Sequence, residues 1–201
     1  MTLTALGEGI HFVRQSKIIL ATMLLDFFAT FFSSASALLP IFAREILQVG
    51  PEGLGILYAA QPAGAVVAGA GMSGVGRVKR QGAVVIWAAV LYGVATALYG
   101  ASQWFALSFL FLALVGAADT VSTILRNTLR QLATPDHLRG RMSSVNMIFM
   151  MGGPQLGNLE AGVVAALIGA PLSVITGGIA TVILVAATAW LVPQLREYSG
   201  Q

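Results

Sequence analysis

Six apolar runs, each of twenty residues or more and separated by polar breaks, leave this chain few ways to fold. They cover 18–39, 53–75, 82–101, 104–125, 142–168 and 171–192. A helix over the 22 residues of 18–39 rises about 33 Å, enough to cross the ~30 Å hydrocarbon core of a bilayer. Only 9% of the residues are charged and 57% are hydrophobic, whereas a soluble domain carries about a quarter charged residues. In lipid each backbone N–H and C=O needs an internal partner, and runs of this length supply one by forming helices. The expected fold is an all-α membrane protein, a six-transmembrane-helix bundle.

Charge orients it. The longest polar break, Arg126 to Arg141, reads RNTLRQLATPDHLRGR and holds Arg126, Arg130, Arg139 and Arg141, four of the eleven Lys+Arg. Basic residues mark cytoplasmic loops, and the loop after the second span adds Arg77, Lys79 and Arg80. With this assignment ten of the eleven basic residues fall on one side and only Arg44 on the other, which predicts six spans with both termini cytoplasmic. Arg130, Arg139 and Arg141, with the basic loop, are read as residues that set topology. Residues 1–17 read as a cytoplasmic amphipathic segment lying along the membrane, because Leu3, Leu6, Ile10 and Val13 recur at helical spacing. They lack the cleavage pattern of a signal peptide. Pro40 is expected to end the first span, and the linker beyond it, with Arg44, Glu45 and Glu52, to lie outside. Residues 193–201 form a cytoplasmic tail.

The net charge of +3 is spread in short groups between apolar runs, so it reads as topology and not as a nucleic-acid surface. The chain has no cysteine, which excludes disulfides and thiolate metal sites. No metal-ligand spacing or cofactor motif is present, and no cofactor is expected. Gly69, Gly71 and Gly74 spell GxGxxG, but they end a membrane helix instead of joining a strand to a helix. Gly71-Met72-Ser73-Gly74 matches the serine motif of rhomboid proteases, yet the only histidines, His11 and His137, lie in polar segments at the membrane surface. A serine without a base in reach is inert, and an enzyme is not expected.

Three carboxylates fall inside predicted spans: Asp26, Asp119 and Glu160. Charge in a membrane is costly, so each is a candidate for function. In the fourth span Asp119, Ser122, Thr123, Arg126, Asn127 and Arg130 stand at i, +3, +4, +7, +8 and +11, a single helical stripe. The first span carries Thr22, Asp26, Thr30 and Ser33 at the same periodicity, and the fifth offers Asn146, Gly153, Gly157 and Glu160. The third and sixth spans contain no charged residue. This pattern predicts that the first, fourth and part of the fifth line a wet pathway while the third and sixth mainly face lipid. The plainer reading pairs Asp119 with Arg126 on its own helix and lets Glu160 reach the interface. Small residues at Gly64, Ala68, Gly69, Gly71 and Gly74, and at Gly153 and Gly157, read as close-packing sites. Pro62 and Pro154 are expected to kink their helices.

The run from Asp26 through Leu39-Pro40-Ile41-Phe42-Ala43-Arg44-Glu45 and Val49-Gly50-Pro51-Glu52-Gly53 to Arg126-Asn127, Pro135-Asp136 and Leu138-Arg139-Gly140-Arg141 resembles the C-terminal half of major facilitator superfamily transporters. It is most similar to their enterobactin-exporter-like and multidrug efflux branch. The resemblance implies that the six spans correspond to transporter helices seven to twelve, in a bacterial inner membrane. It places Asp26 and the Asp119 stripe on the cavity side and Arg139-Gly140-Arg141 in a cytoplasmic segment. The basic loop stands where the superfamily has Gly-Asp-Arg, without its Asp. The implied function is half of a secondary transporter, exporting a siderophore, drug or similar small amphiphile by proton-coupled alternating access, with Asp26 or Asp119 carrying the proton. Its partners would be the bilayer, a small-molecule substrate, and either a missing N-terminal six-helix half or a second copy. The competing expectation is a truncated or scaffold membrane protein with no transport of its own.

Overall fold

A computed structural model describes residues 3–33, 35–76 and 78–198, and every regular element among them is helical. Arg77 of the basic loop lies outside the described residues. The elements are α1 (Leu3–Gln15), α2 (Lys17–Phe32), α3 (Leu39–Ile41), α4 (Gly50–Gly74), α5 (Gln81–Ala101), α6 (Phe105–Leu132), α7 (Arg139–Ile168), α8 (Ala170–Leu191) and α9 (Pro193–Glu197).

Local chemistry accounts for the boundaries. Ser16 caps α2, its Oγ accepting from the Ile19 amide at 3.4 Å. Pro40 does not end the first helical run. It sits in the opening turn of α3, where a missing N–H costs nothing, and the chain continues through a π-helical turn over Phe42–Ile46, closed by Leu47 N–H donating to the Phe42 carbonyl at 2.8 Å. The linker to α4 is correspondingly shorter than expected, and Gln48 and Gly50 turn it at positive φ. Gly169 joins α7 to α8 at φ 89° and ψ 153°, a conformation essentially restricted to glycine. Such short joints force neighbouring helices to run antiparallel.

Among the described residues five segments are long and apolar enough to cross a membrane: Lys17–Ile46, Gly50–Gly74, Gln81–Ala101, Phe105–Leu132 and Ala170–Leu191. The segment expected as the fifth of six spans, 142–168, is not among them. It belongs to α7, whose 30 residues would reach about 45 Å, but Arg139, Arg141, Asn146, Gln155, Asn158 and Glu160 make it the least apolar of the long helices.

The bundle packs α5 against α8 and α6, α4 against α6, and α2 against α7 and α8. Glycines allow these crossings. A Cβ at Gly116 would run into the Gln61 carbonyl, one at Gly64 into the Ala113 carbonyl, and one at Gly177 into the Phe32 carbonyl. One core cluster gathers Leu39, Phe42, Leu57, Tyr99 and Leu112, with the Phe42 and Tyr99 rings stacked 4.6 Å apart. α5 and α8, expected to face mainly lipid, bury one side of each in this packing and present Trp87, Leu98, Ile183 and Trp190 on the other. α1 packs against the bundle at the start of α7. Val13 is buried with Ile19, Met23, Met142 and Val145, and Glu8 pairs with Arg141, which fastens α1 to the start of α7.

Candidate functional site

The polar stripes predicted on the first and fourth spans meet inside the bundle. α6 continues seven residues beyond the expected end at Leu125, to Leu132, so the front of the long polar break is helix and not loop. Thr134-Pro135 then stops it, since proline cannot extend the ladder. The extra two turns carry Arg126 and Arg130 along the face that already holds Asp119, Ser122 and Thr123. On α2, Thr22 and Asp26 stand four residues apart, matching the spacing of the two arginines opposite.

Asp26 is the centre of the cluster. Arg126 Nη2 lies 2.8 Å from its Oδ1 and Arg130 Nη2 lies 3.7 Å from its Oδ2. Both arginines are buried, at 3% and 2% exposure, and Asp26 is at 6%. Arg126 also donates to Thr123 Oγ1 at 2.9 Å and stands 3.8 Å from Asp119 Oδ1. Thus Arg126 does meet Asp119 on its own helix, but its nearer partner comes from α2. Arg130 donates from Nε to Thr22 Oγ1 at 3.0 Å, from Nη2 to the Thr22 carbonyl at 2.8 Å, and from Nη1 to Asn146 Oδ1 at 2.6 Å and Asn127 Oδ1 at 3.4 Å. Two carboxylates and two guanidiniums, with amides and hydroxyls filling the remaining positions, therefore tie α2, α6 and α7 together. Burial of this kind holds only when the charges are paired and hydrogen-bonded.

Other expected site residues fall elsewhere. Ser33 bonds Thr181 of α8 at 2.8 Å and is buried there, so it faces the packed side of α2. Thr30 Oγ1 donates to the Asp26 carbonyl at 2.8 Å and lines the same small cavity as Asp26. Ser122 is buried beside the cluster. Glu160 stands apart on α7, with no ion-pair partner among the described residues. Arg130, read from the sequence as a topology residue, belongs to the cluster instead. Its helix carries it inward, where Thr22 and Asn146 complete its hydrogen bonds. Arg139 pairs with the exposed Asp136 at 2.9 Å, Arg141 with Glu8, and Lys79 and Arg80 are exposed ahead of α5.

Two contributors escaped the sequence reading. Thr22 was visible in the α2 stripe but carried no assigned role, and Tyr92, from the uncharged α5, lines the cavity between Asp26 and Asp119. No signal in α5 pointed to Tyr92. Chemically the cluster suits proton exchange or recognition of a charged group. It does not suit a metal, since guanidiniums already occupy the positions beside the carboxylates that a cation would take.

A helical bundle with bare apolar flanks and a buried charge cluster across three helices has the build of an integral membrane protein. The chain belongs to the transmembrane secretion effector family of the major facilitator superfamily, whose profile matches residues 1–200. Among curated proteins it is 26% identical over 194 residues to the enterobactin exporter EntS of Salmonella choleraesuis (strain SC-B67), covering 96% of this chain and 47% of that protein. It is 25% identical over 196 residues to the enterobactin exporter EntS of Escherichia coli O81 (strain ED1a), covering 98% of this chain and 47% of that protein. The chain thus spans about half the length of the curated relatives it matches. No solved structure matches it.

Proposed function

We propose that this chain forms the C-terminal half of a secondary exporter, which moves a siderophore or similar small amphiphile across a bacterial inner membrane by proton-coupled alternating access. The observation that carries the reading is the buried pairing of Asp26 with Arg126 and Arg130. An intramembrane carboxylate tied to two arginines on another helix is an electrostatic latch. Protonating Asp26 cancels its attraction for both guanidiniums, and Asp119, already 3.8 Å from Arg126, is placed to take over that arginine. Such an exchange alters how α2 sits on α6, and two discrete pairings are what alternating access needs. The enterobactin exporters among the relatives make enterobactin the first substrate to try. In this reading α7 also crosses the membrane, as the fifth of six spans, and the ends bearing Arg139, Arg141 and Arg80 are cytoplasmic.

The test is transport in liposomes holding the chain together with an N-terminal six-helix half. Efflux driven by an imposed proton gradient should be lost in Asp26→Asn while the protein stays folded in the membrane. Unchanged pH dependence of transport in both Asp26→Asn and Asp119→Asn would reject the proposal.

A further inference from the structure

Beside the latch, between α2, α5 and α6, lies a small cavity with about 10 Å³ open to the centre of a water molecule. That is room for one water. Asp26, Tyr92, Asp119, Ser122 and Arg126 line it. Two of these residues carry buried polar atoms with no protein partner, Ser122 Oγ and Arg126 Nε. Both residues are 3% exposed. Buried polar groups in native proteins are almost always hydrogen-bonded, because desolvation is otherwise unrepaid. The contacts of Arg126 with Thr123, Asp26 and Asp119 all leave from Nη2, so Nε–H remains to be satisfied.

We propose that this cavity binds one ordered water that joins the two carboxylates. The water accepts from Arg126 Nε–H and Ser122 Oγ–H and donates one hydrogen each to Asp26 and Asp119, which uses all four of its bonding positions. The charged groups around it are Asp26 from α2 and Asp119, Arg126 and Arg130 from α6. α5 contributes only the neutral Tyr92, and α7 the amide of Asn146 beside Arg130. The water connects the half-exposed Asp119, whose side chain is 48% accessible, to Asp26, whose side chain is 9% accessible. When Asp119 is protonated, Ser122 Oγ turns to accept from the water, which frees a lone pair for the Asp119 O–H; that O–H bond then breaks as its proton joins the water oxygen. An O–H bond of that water breaks as its proton joins the Asp26 carboxylate, so one proton moves and the water is regenerated. This relay role rests on the proton-coupled reading above; the water site does not.

Infrared spectra of the purified full chain in detergent, recorded in ordinary water and in water labelled with oxygen-18, test the site without any transport. A buried-water O–H stretching band that shifts with the isotope is expected. Ser122→Ala should move it, since one partner is gone, and Ala89→Val, which narrows the cavity from the uncharged α5, should abolish it. No isotope-sensitive band in the natural chain, or a band unchanged in either variant, overturns the water site. Failure of the liposome assay with the band present would reject proton-coupled export alone.

Discussion

Arg126 and Arg130 differ from the other basic residues by where their charge is repaid. Arg139 and Asp136 form an exposed pair, at 50% and 89% side-chain exposure, and such pairs contribute about 0–1 kcal/mol. Arg130 is 2% exposed and satisfied from three helices, and removing one partner of a buried pair costs about 3–5 kcal/mol. Arg130→Met should therefore lower stability by about 3 kcal/mol, at the bottom of that range because Arg126 still serves Asp26. Asp136→Asn should change it by less than about 1 kcal/mol. Unfolding in detergent micelles checks both, and equal effects would mean that Arg130 is not held as described. The helical stripe held both Arg126 and Arg130, but from sequence Arg130 carried only a topology role. Its main partner, Thr22, is 108 positions away, a separation no local pattern spans.

At the scale of the element, the glycine stripe of α4 looks uniform in sequence and is not uniform in space. Gly64 faces the α6 backbone, and Gly116 of α6 faces α4, whereas a Cβ at Gly71 meets nothing within 4 Å. Gly116→Val should force the helices apart and cost about 1–3 kcal/mol or more. Gly71→Ala should be neutral or gain up to about 1 kcal/mol from helix propensity. Thermal melts of the two variants decide it. The α6 stripe divides similarly: Ser122 is buried at 3% while the Asp119 side chain is 48% accessible. A water-soluble thiol reagent should label Asp119→Cys in membranes and spare Ser122→Cys, and equal labelling would contradict the packing of α6 on α2 and α5. Periodicity placed these residues on one face; only the neighbouring helices decide which part of that face is covered.

The whole molecule leaves much of its apolar surface bare. Only 22% of the apolar window of Gly50–Gly74 is buried, against 50% for Lys17–Ile46. Val66, Val67, Trp104 and Leu167 are each more than 70% exposed. Lipid covers part of such a surface, and in the half-exporter reading proposed above a second half covers the rest. Co-expression with an N-terminal six-helix half should give a one-to-one complex in mild detergent, read from the protein mass corrected for detergent. A single chain of 20.9 kDa that transports by itself would overturn the half-transporter reading. By itself the sequence determined that this is a helical membrane protein and which of its apolar runs carry charge, because hydrophobic length and helical period are local properties. Only the tertiary structure decided that Asp26 meets Arg126 and Arg130, that Ser33 turns to α8, and that Tyr92 joins the cavity. Those pairings depend on which helix faces are brought together, and in a chain rich in small residues backbone approach sets that choice.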